Sequence, residues 1–192
     1  MKKLSLYLFL ILFSFQTSSW ADDIRDFQIE GMSIEDSLLD YFTKEYIKNK
    51  LGESLYSNQN EINHVFLLNE PTFNIYEGIQ VHFRTNDEKF IIIGIDGFIY
   101  FADNFKGCKK KMKEIALELN KTFNFYEETS SKGAHPGDKT GKSTTLADSF
   151  FLDTGSVSVR CYDWSNAMTK KYNYVDHLSV AARTNEFNNW LK

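Results

Sequence analysis

Cysteine and histidine are scarce in this 192-residue chain: two cysteines, Cys108 and Cys161, and four histidines, His64, His82, His135 and His177. The histidines show no metal-ligand spacing such as His-x-x-x-His, so no zinc-type site is legible. No serine sits in a nucleophile elbow. There is no internal repeat, and no apolar run beyond residue 15 is long enough to span a membrane. A basic excess is also missing, with 22 Lys and Arg against 26 Asp and Glu, which argues against nucleic acid or an anionic membrane surface as the main partner. No cofactor motif is intact, so no cofactor is expected.

The start of the chain is informative. Lys2 and Lys3 precede an uncharged apolar run from Leu4 to Phe15, and Ser19-Trp20-Ala21 places small residues around a cleavage point. Those are the three parts of a secretory signal peptide. The apolar run reaches roughly 18 Å as a helix, short of the roughly 30 Å hydrocarbon core, which favours a removed leader over an anchor. The expected mature protein therefore begins at Asp22, has no transmembrane segment, and is periplasmic or secreted. Loss of Lys2 and Lys3 takes its formal net charge from −4 to −6. Residues 22–192 are long enough for one domain that buries most of its apolar surface.

Ser33 and Asp36 form a capping box ahead of Ile34, Leu38, Leu39 and Phe42, which predicts a short helix. A second runs from Lys44 to Leu51 behind a Thr43 cap, and Leu51 to Asn63 reads as a polar loop. Strands are predicted over His64–Leu68, Phe73–Tyr76, Ile79–Arg84 and Phe90–Ile95. Asp96-Gly97 between apolar runs predicts a tight turn into a strand over Phe98–Phe101. Cys108, Met112, Ile115, Leu119 and Phe123 line one face of a long helix over Gly107–Phe123. Thr129 to Ser143 reads as a long loop. A hairpin joins Thr145–Leu152 to Val157–Asp163, Tyr174–Ala182 is a last strand, and Thr184 caps a closing helix through Leu191. Strands linked by hairpins rather than alternating with helices predict an α+β fold. It is built on a largely antiparallel sheet, with two short N-terminal helices, one long central helix and a short C-terminal helix.

Two motifs imitate chemistry. His135 to Ser143 (HPGDKTGKS) resembles a phosphate-binding loop, but Pro136 stands where the first glycine is required and no strand–loop–helix context surrounds it. Phe151 to Ser156 (FLDTGS) carries the Asp-Thr-Gly signature of aspartic peptidases around Asp153. That chemistry needs two carboxylates sharing a proton, so a dimer would have to supply the second. Asp, Thr and Gly are also ordinary turn residues between strands. The peptidase reading is thus the sharpest form of a hydrolase alternative.

Glu30 to Tyr41 (EGMSIEDSLLDY), the His135 loop, Val159 to Ser165 (VRCYDWS) and Glu186 to Leu191 (EFNNWL) together resemble a group of small exported proteins of marine bacteria without assigned function. That resemblance implies an exported location. Gly31-Met32-Ser33, followed by two short helices and antiparallel strands, is similar to the BamE-like subunits of outer-membrane assembly, which implies an envelope partner.

The expected disulfide joins Cys108 to Cys161, the alternative being two separate buried thiols. Both face inward by periodicity, and export keeps disulfides oxidised. By the same parity Tyr162 points outward, and Trp164 follows just past the strand end. Tyr162 and Trp164, with the Thr129 to Ser143 loop at the same end, are the candidate binding residues. Trp164 reads either as a contact ring or as a cap on the core. The functional expectation is a non-catalytic binding or interaction module for an unknown ligand or envelope protein.

Overall fold

The computed structural model describes residues 21–52 and 61–191. All but Ala21 of the signal peptide expected over residues 1–21, and most of the polar stretch expected between Leu51 and Asn63, lie outside the described residues. A small hairpin, β1 (Gln28–Ile29) and β2 (Met32–Ser33), precedes α1 (Lys44–Asn49). Seven strands then form one antiparallel sheet: β3 (Ile62–Leu68), β4 (Gly78–Arg84), β5 (Gly94–Tyr100), β6 (Glu127–Ala134), β7 (Thr144–Leu152), β8 (Gly155–Asp163) and β9 (His177–Thr184). Their spatial order is β3-β4-β5-β9-β8-β7-β6. The helices α2 (Phe105–Thr122), α3 (Asn166–Tyr172) and α4 (Asn185–Trp190) complete the α+β fold expected from the sequence. No helix among the described residues is long and apolar enough to cross a membrane.

Register assigns every strand residue to a face. Val65 opposes Val81, Val81 opposes Ile95, Ile95 opposes Ala182 and Ala182 opposes Val157, so these side chains share one side. That side is the core. It is roofed by α2, whose Cys108, Met112 and Leu119 are buried, and by Ile24, Ile29, Met32 and Leu38 from the N-terminal segment. The Asn104 side chain accepts the Gly107 N–H and starts α2 two residues before the periodic pattern does. Cys108 and Cys161 are disulfide-bonded, with Cα atoms 6.0 Å apart, which ties α2 to β8.

Several local expectations are overturned. The Ser33–Asp36 bond forms, Ser33 N–H to Asp36 Oδ2 at 2.8 Å, yet no helix follows it. The backbone there pairs with the segment before β5 instead: Glu35 N–H donates to Ile92 O and Ile92 N–H to Asp36 O, both at 2.9 Å. Only a 3₁₀ turn, Leu38–Asp40, remains of the first helix, while Thr43 caps α1 as expected. Phe73 to Tyr76 is a turn rather than a strand, because the Glu30 carboxylate accepts the N–H groups of Asn74, Ile75 and Tyr76 at 2.9, 2.6 and 2.9 Å.

Asp96-Gly97 makes no turn either. Both lie within β5, between β4 and β9, and the reversal falls between Arg84 and Gly94. Asp96 is there to pair with Arg183, at 2.9 Å, and with His82. Gly97 is there because a Cβ would lie 2.5 Å from the Tyr76 ring. The first six residues of the expected Thr129 to Ser143 loop belong to the edge strand β6; the eight residues of that strand are exposed on both faces, so no apolar alternation marks it. The last strand begins at His177 rather than Tyr174, and α3 fills the space before it.

Candidate functional site

The side of the sheet away from α2 changes character along the strands. At one end α4 covers it. Phe187 lies against the backbone of Gly94 and 4.6 Å from the His82 ring, and the Asn188 amide donates to Ser156 Oγ. Under that helix sits a buried ion cluster. Burial opposes ionisation of Asp96, but Arg183 and His82 hold its carboxyl down to about 2. The middle is lined by small residues, among them Ala147, Ser158, Ser179 and Ala181.

At the other end the small residues give way to rings. Strand parity puts Tyr162 here, because its neighbour Cys161 faces α2. Tyr162 opposes His177 on β9, which opposes Tyr100 on β5. Tyr162 and His177 stack at 4.6 Å, and Tyr162 and Trp164 lie 5.6 Å apart with planes only 8° off parallel. Ser165 caps α3, and Asn173 ends it in the left-handed conformation at φ 57°; the chain thereby turns back and sets Tyr174 at 4.6 Å from Trp164. His135 closes the cluster from the loop side, 4.5 Å from Trp164.

Between these rings opens a cleft of about 280 Å³ whose walls include Phe66, Phe98, Tyr100, Trp164, Tyr174 and His177. No lysine or arginine among the described residues lines it. Tyr100 and Tyr174 are each about two-fifths exposed, 41% in both cases, whereas Tyr162 and Trp164 are half-buried. Trp164 belongs to this surface cluster rather than to the main core, and its Nε1 has no hydrogen-bond partner among the described residues.

One carboxylate adjoins the cleft through Trp164. Asp176 Oδ1 accepts the Trp164 N–H at 2.7 Å. Burial pushes the Asp176 carboxyl up, and the neighbouring Asp163 and Asp103 push it further the same way. Burial pushes the His177 imidazole down, towards its neutral form, and its Nδ1 lies 2.8 Å from Val175 O. The His135 imidazole is pushed down by burial as well.

The phosphate-loop imitation lies beside this cluster and is organised by Asp138. Asp138 is buried and accepts from the Thr140 N–H and hydroxyl, the Ser143 N–H and hydroxyl, and the Ser165 hydroxyl, at 2.7 to 2.9 Å. These bonds, that from Ser143 foremost, hold its carboxyl far below the usual range. Amides that a phosphate would need are thus given to the chain's own carboxylate. The same bonds clamp the loop to the start of α3, which is why it reaches Trp164. Asp153 is remote from all this: with Thr154 it fills the two-residue turn between β7 and β8, at the opposite end of β8 from Tyr162. Its carbonyl accepts from Asn185 Nδ2, and Thr154 Oγ1 accepts from Ile24 N–H. Among the described residues no group of three or more His, Cys, Asp and Glu is placed to hold a metal ion.

The structure therefore brings Tyr162, Trp164 and the His135 to Ser143 loop together, and adds residues that sequence reasoning did not single out: Phe66, Phe98, Tyr100, Tyr174, Asp176 and His177. The alternation of Phe98 and Tyr100 was a visible signal; the contribution of Tyr174 depends on α3 and was not. No known protein family, curated protein or solved structure matches this chain.

Proposed function

We propose that this is an exported, non-catalytic binding module whose aromatic cleft holds an organic cation. The observation that carries the reading is the cleft itself: ring walls, no basic lining residue, and the Asp176 carboxylate held beside it on the Trp164 N–H. Aromatic faces attract a positive head group electrostatically, by about 0.5 to 2 kcal/mol per ring depending on desolvation, and a quaternary ammonium presents no donors to leave unpaired. The Asp176 carboxylate beside Trp164 adds field of the same sign. The disulfide supports the exported location, since such bonds persist in oxidising compartments. A free quaternary ammonium compound and the lysine or arginine side chain of an envelope protein share this head-group chemistry.

The test is isothermal titration of the purified protein with choline and, separately, with 3,3-dimethylbutan-1-ol, its uncharged isostere. Choline binding at least tenfold tighter than the isostere is the expected result. Equal affinity, or no heat with choline, would sink the proposal. A lysine-methylated peptide that outcompetes choline would place the natural ligand on a protein.

A further inference from the structure

From the edge strand β6 we infer a second binding surface, one that pairs with β6 of another copy of this chain. β6 ends the sheet, pairs only with β7, and leaves all eight residues from Glu127 to Ala134 exposed. At the other margin β3 is partly closed, because Leu51 bridges Val65 and Gly52 N–H donates to His64 O. β6 holds no proline and no bulge, since its register with β7 is unbroken from Glu127↔Phe151 to Ala134↔Thr144. Such an edge presents a row of free N–H and C=O groups to any strand that can match it.

The phase of that row follows from one bond. His135 N–H donates to Ser143 O in the continuation of the β6–β7 ladder, so odd-numbered residues bond to β7. Antiparallel pairs alternate, which turns the N–H and C=O of Glu128, Ser130, Lys132 and Ala134 outward. A second copy must then match even residues to even residues. Centring the two-fold axis on Ser130 sets Glu128 opposite Lys132 of the second copy, and Lys132 opposite its Glu128. Opposite charges directly across strands stabilise such a pair and like charges destabilise it. Moving the axis to Glu128 or to Lys132 opposes two glutamates or two lysines. Shifting it to residue 129 or residue 131 leaves both charges without their partner. Charges on an edge ordinarily discourage open-ended pairing; here they select one closed, isologous register.

The occupant is thus a second copy, not an unrelated strand, because the charge pattern complements itself. Both side chains are exposed, so their reversal leaves the fold intact. Sedimentation velocity over a concentration series is expected to show a weak monomer–dimer equilibrium, because one strand pair is small for an interface. Glu128→Lys and Lys132→Glu each place like charges opposite one another twice and are expected to weaken the dimer about tenfold. Mixing those two variants restores Glu–Lys opposition in the heterodimer, which should form about as well as the wild-type dimer. Hydrogen exchange should show the Ser130 and Lys132 amides becoming protected as concentration rises. A monomer at every concentration overturns the inference. So does a dimer indifferent to both reversals, or one whose formation leaves those two amides unprotected.

Discussion

On the α2 side of the sheet β8 presents Val157, Val159 and Cys161, each fully buried; on the other side the same strand presents Ser156, Ser158, Arg160 and Tyr162. One strand therefore serves two environments with a period of two. The α2 side is packed by branched and aromatic side chains in one continuous cluster, and a disulfide fastens its roof. The opposite side has small residues in the middle, an ion cluster under α4 and rings at the open end. Apolar burial dominates the first and supplies stability. The second leaves amphipathic rings in contact with solvent, an arrangement suited to recognition. If that division is right, substitutions on the two sides must separate stability from binding.

The largest effect belongs to the α2 side. Replacing Cys108 and Cys161 together by alanine opens a loop of 53 residues and should cost about 4 kcal/mol on the chain-entropy model. For a chain of this size that lowers the melting temperature by roughly 10 °C, while choline affinity of the folded protein stays at its wild-type value. An unchanged thermal melt would erase the contrast.

Next comes the covered end of the opposite side, where polarity serves stability instead. Asp96→Asn removes the carboxylate that Arg183 and His82 share in a buried site, and a loss of about 3 kcal/mol is expected from denaturant unfolding. The cleft lies at the far end of the strands, so binding should again be preserved. A stable Asp96→Asn protein would show that the cluster is better solvated than its burial implies.

What the sequence disclosed follows the same division. The α2 side was legible because apolar periodicity is a local signal: Cys108, Met112, Ile115 and Leu119 named the helix, and the parity of Cys161 named both the disulfide and the outward Tyr162. The turn at Asp153 was legible for a similar reason, being local turn chemistry, although β8 begins at Gly155 and the turn is two residues shorter than expected. Asp96-Gly97 misled because a turn dipeptide and a buried ion-pair residue beside a ring-contacted glycine look alike until Arg183 and Tyr76 are in place. Ser33 misled because its box bond forms without a helix, long-range pairing to Ile92 having taken the backbone. β6 escaped notice because a strand exposed on both faces carries no alternation. The cleft was half legible. Tyr162 and Trp164 could be placed from one strand, but His177, Tyr100 and Tyr174 arrive from β9, β5 and the turn after α3, and only tertiary structure collects them.

Trp164 decides between a contact ring and a cap on the core. Half-buried and outside the main cluster, it should lose only about 1 kcal/mol of stability on change to alanine, within the usual range for a partly exposed residue. The same change should weaken choline binding more than tenfold, since the ring forms one wall of the cleft. A steep loss of stability with binding retained would return Trp164 to the core and leave the cleft without a function.

The smallest effect is a pH dependence confined to the open end. His177 lines the cleft, and burial places its folded pKa below the ordinary 6.5; it is neutral at neutral pH and gains a proton as pH falls through that lowered value. Asp176, which holds the Trp164 N–H beside the cleft, has its pKa raised above 3.8 by burial and so gives up its charge earlier on acidification than an exposed aspartate does. Both protonations make the cleft less negative, so choline affinity should fall several-fold between about pH 8 and about pH 5, the interval in which histidine charge changes. Stability has the same sign for His177: the folded state binds fewer protons than the unfolded one, so its contribution is complete above 6.5 and is lost as pH falls below it. Asp138 behaves differently, since its depressed pKa makes a contribution that is complete above 3.8 and fades only in stronger acid. The loop should therefore stay clamped to α3 across the interval in which binding weakens. His177→Gln keeps a neutral polar group and should flatten most of the binding profile. A His177→Gln protein with the wild-type pH profile would remove that histidine from the cleft's electrostatics and shift the dependence to Asp176 or to His135, which lies 4.5 Å from Trp164.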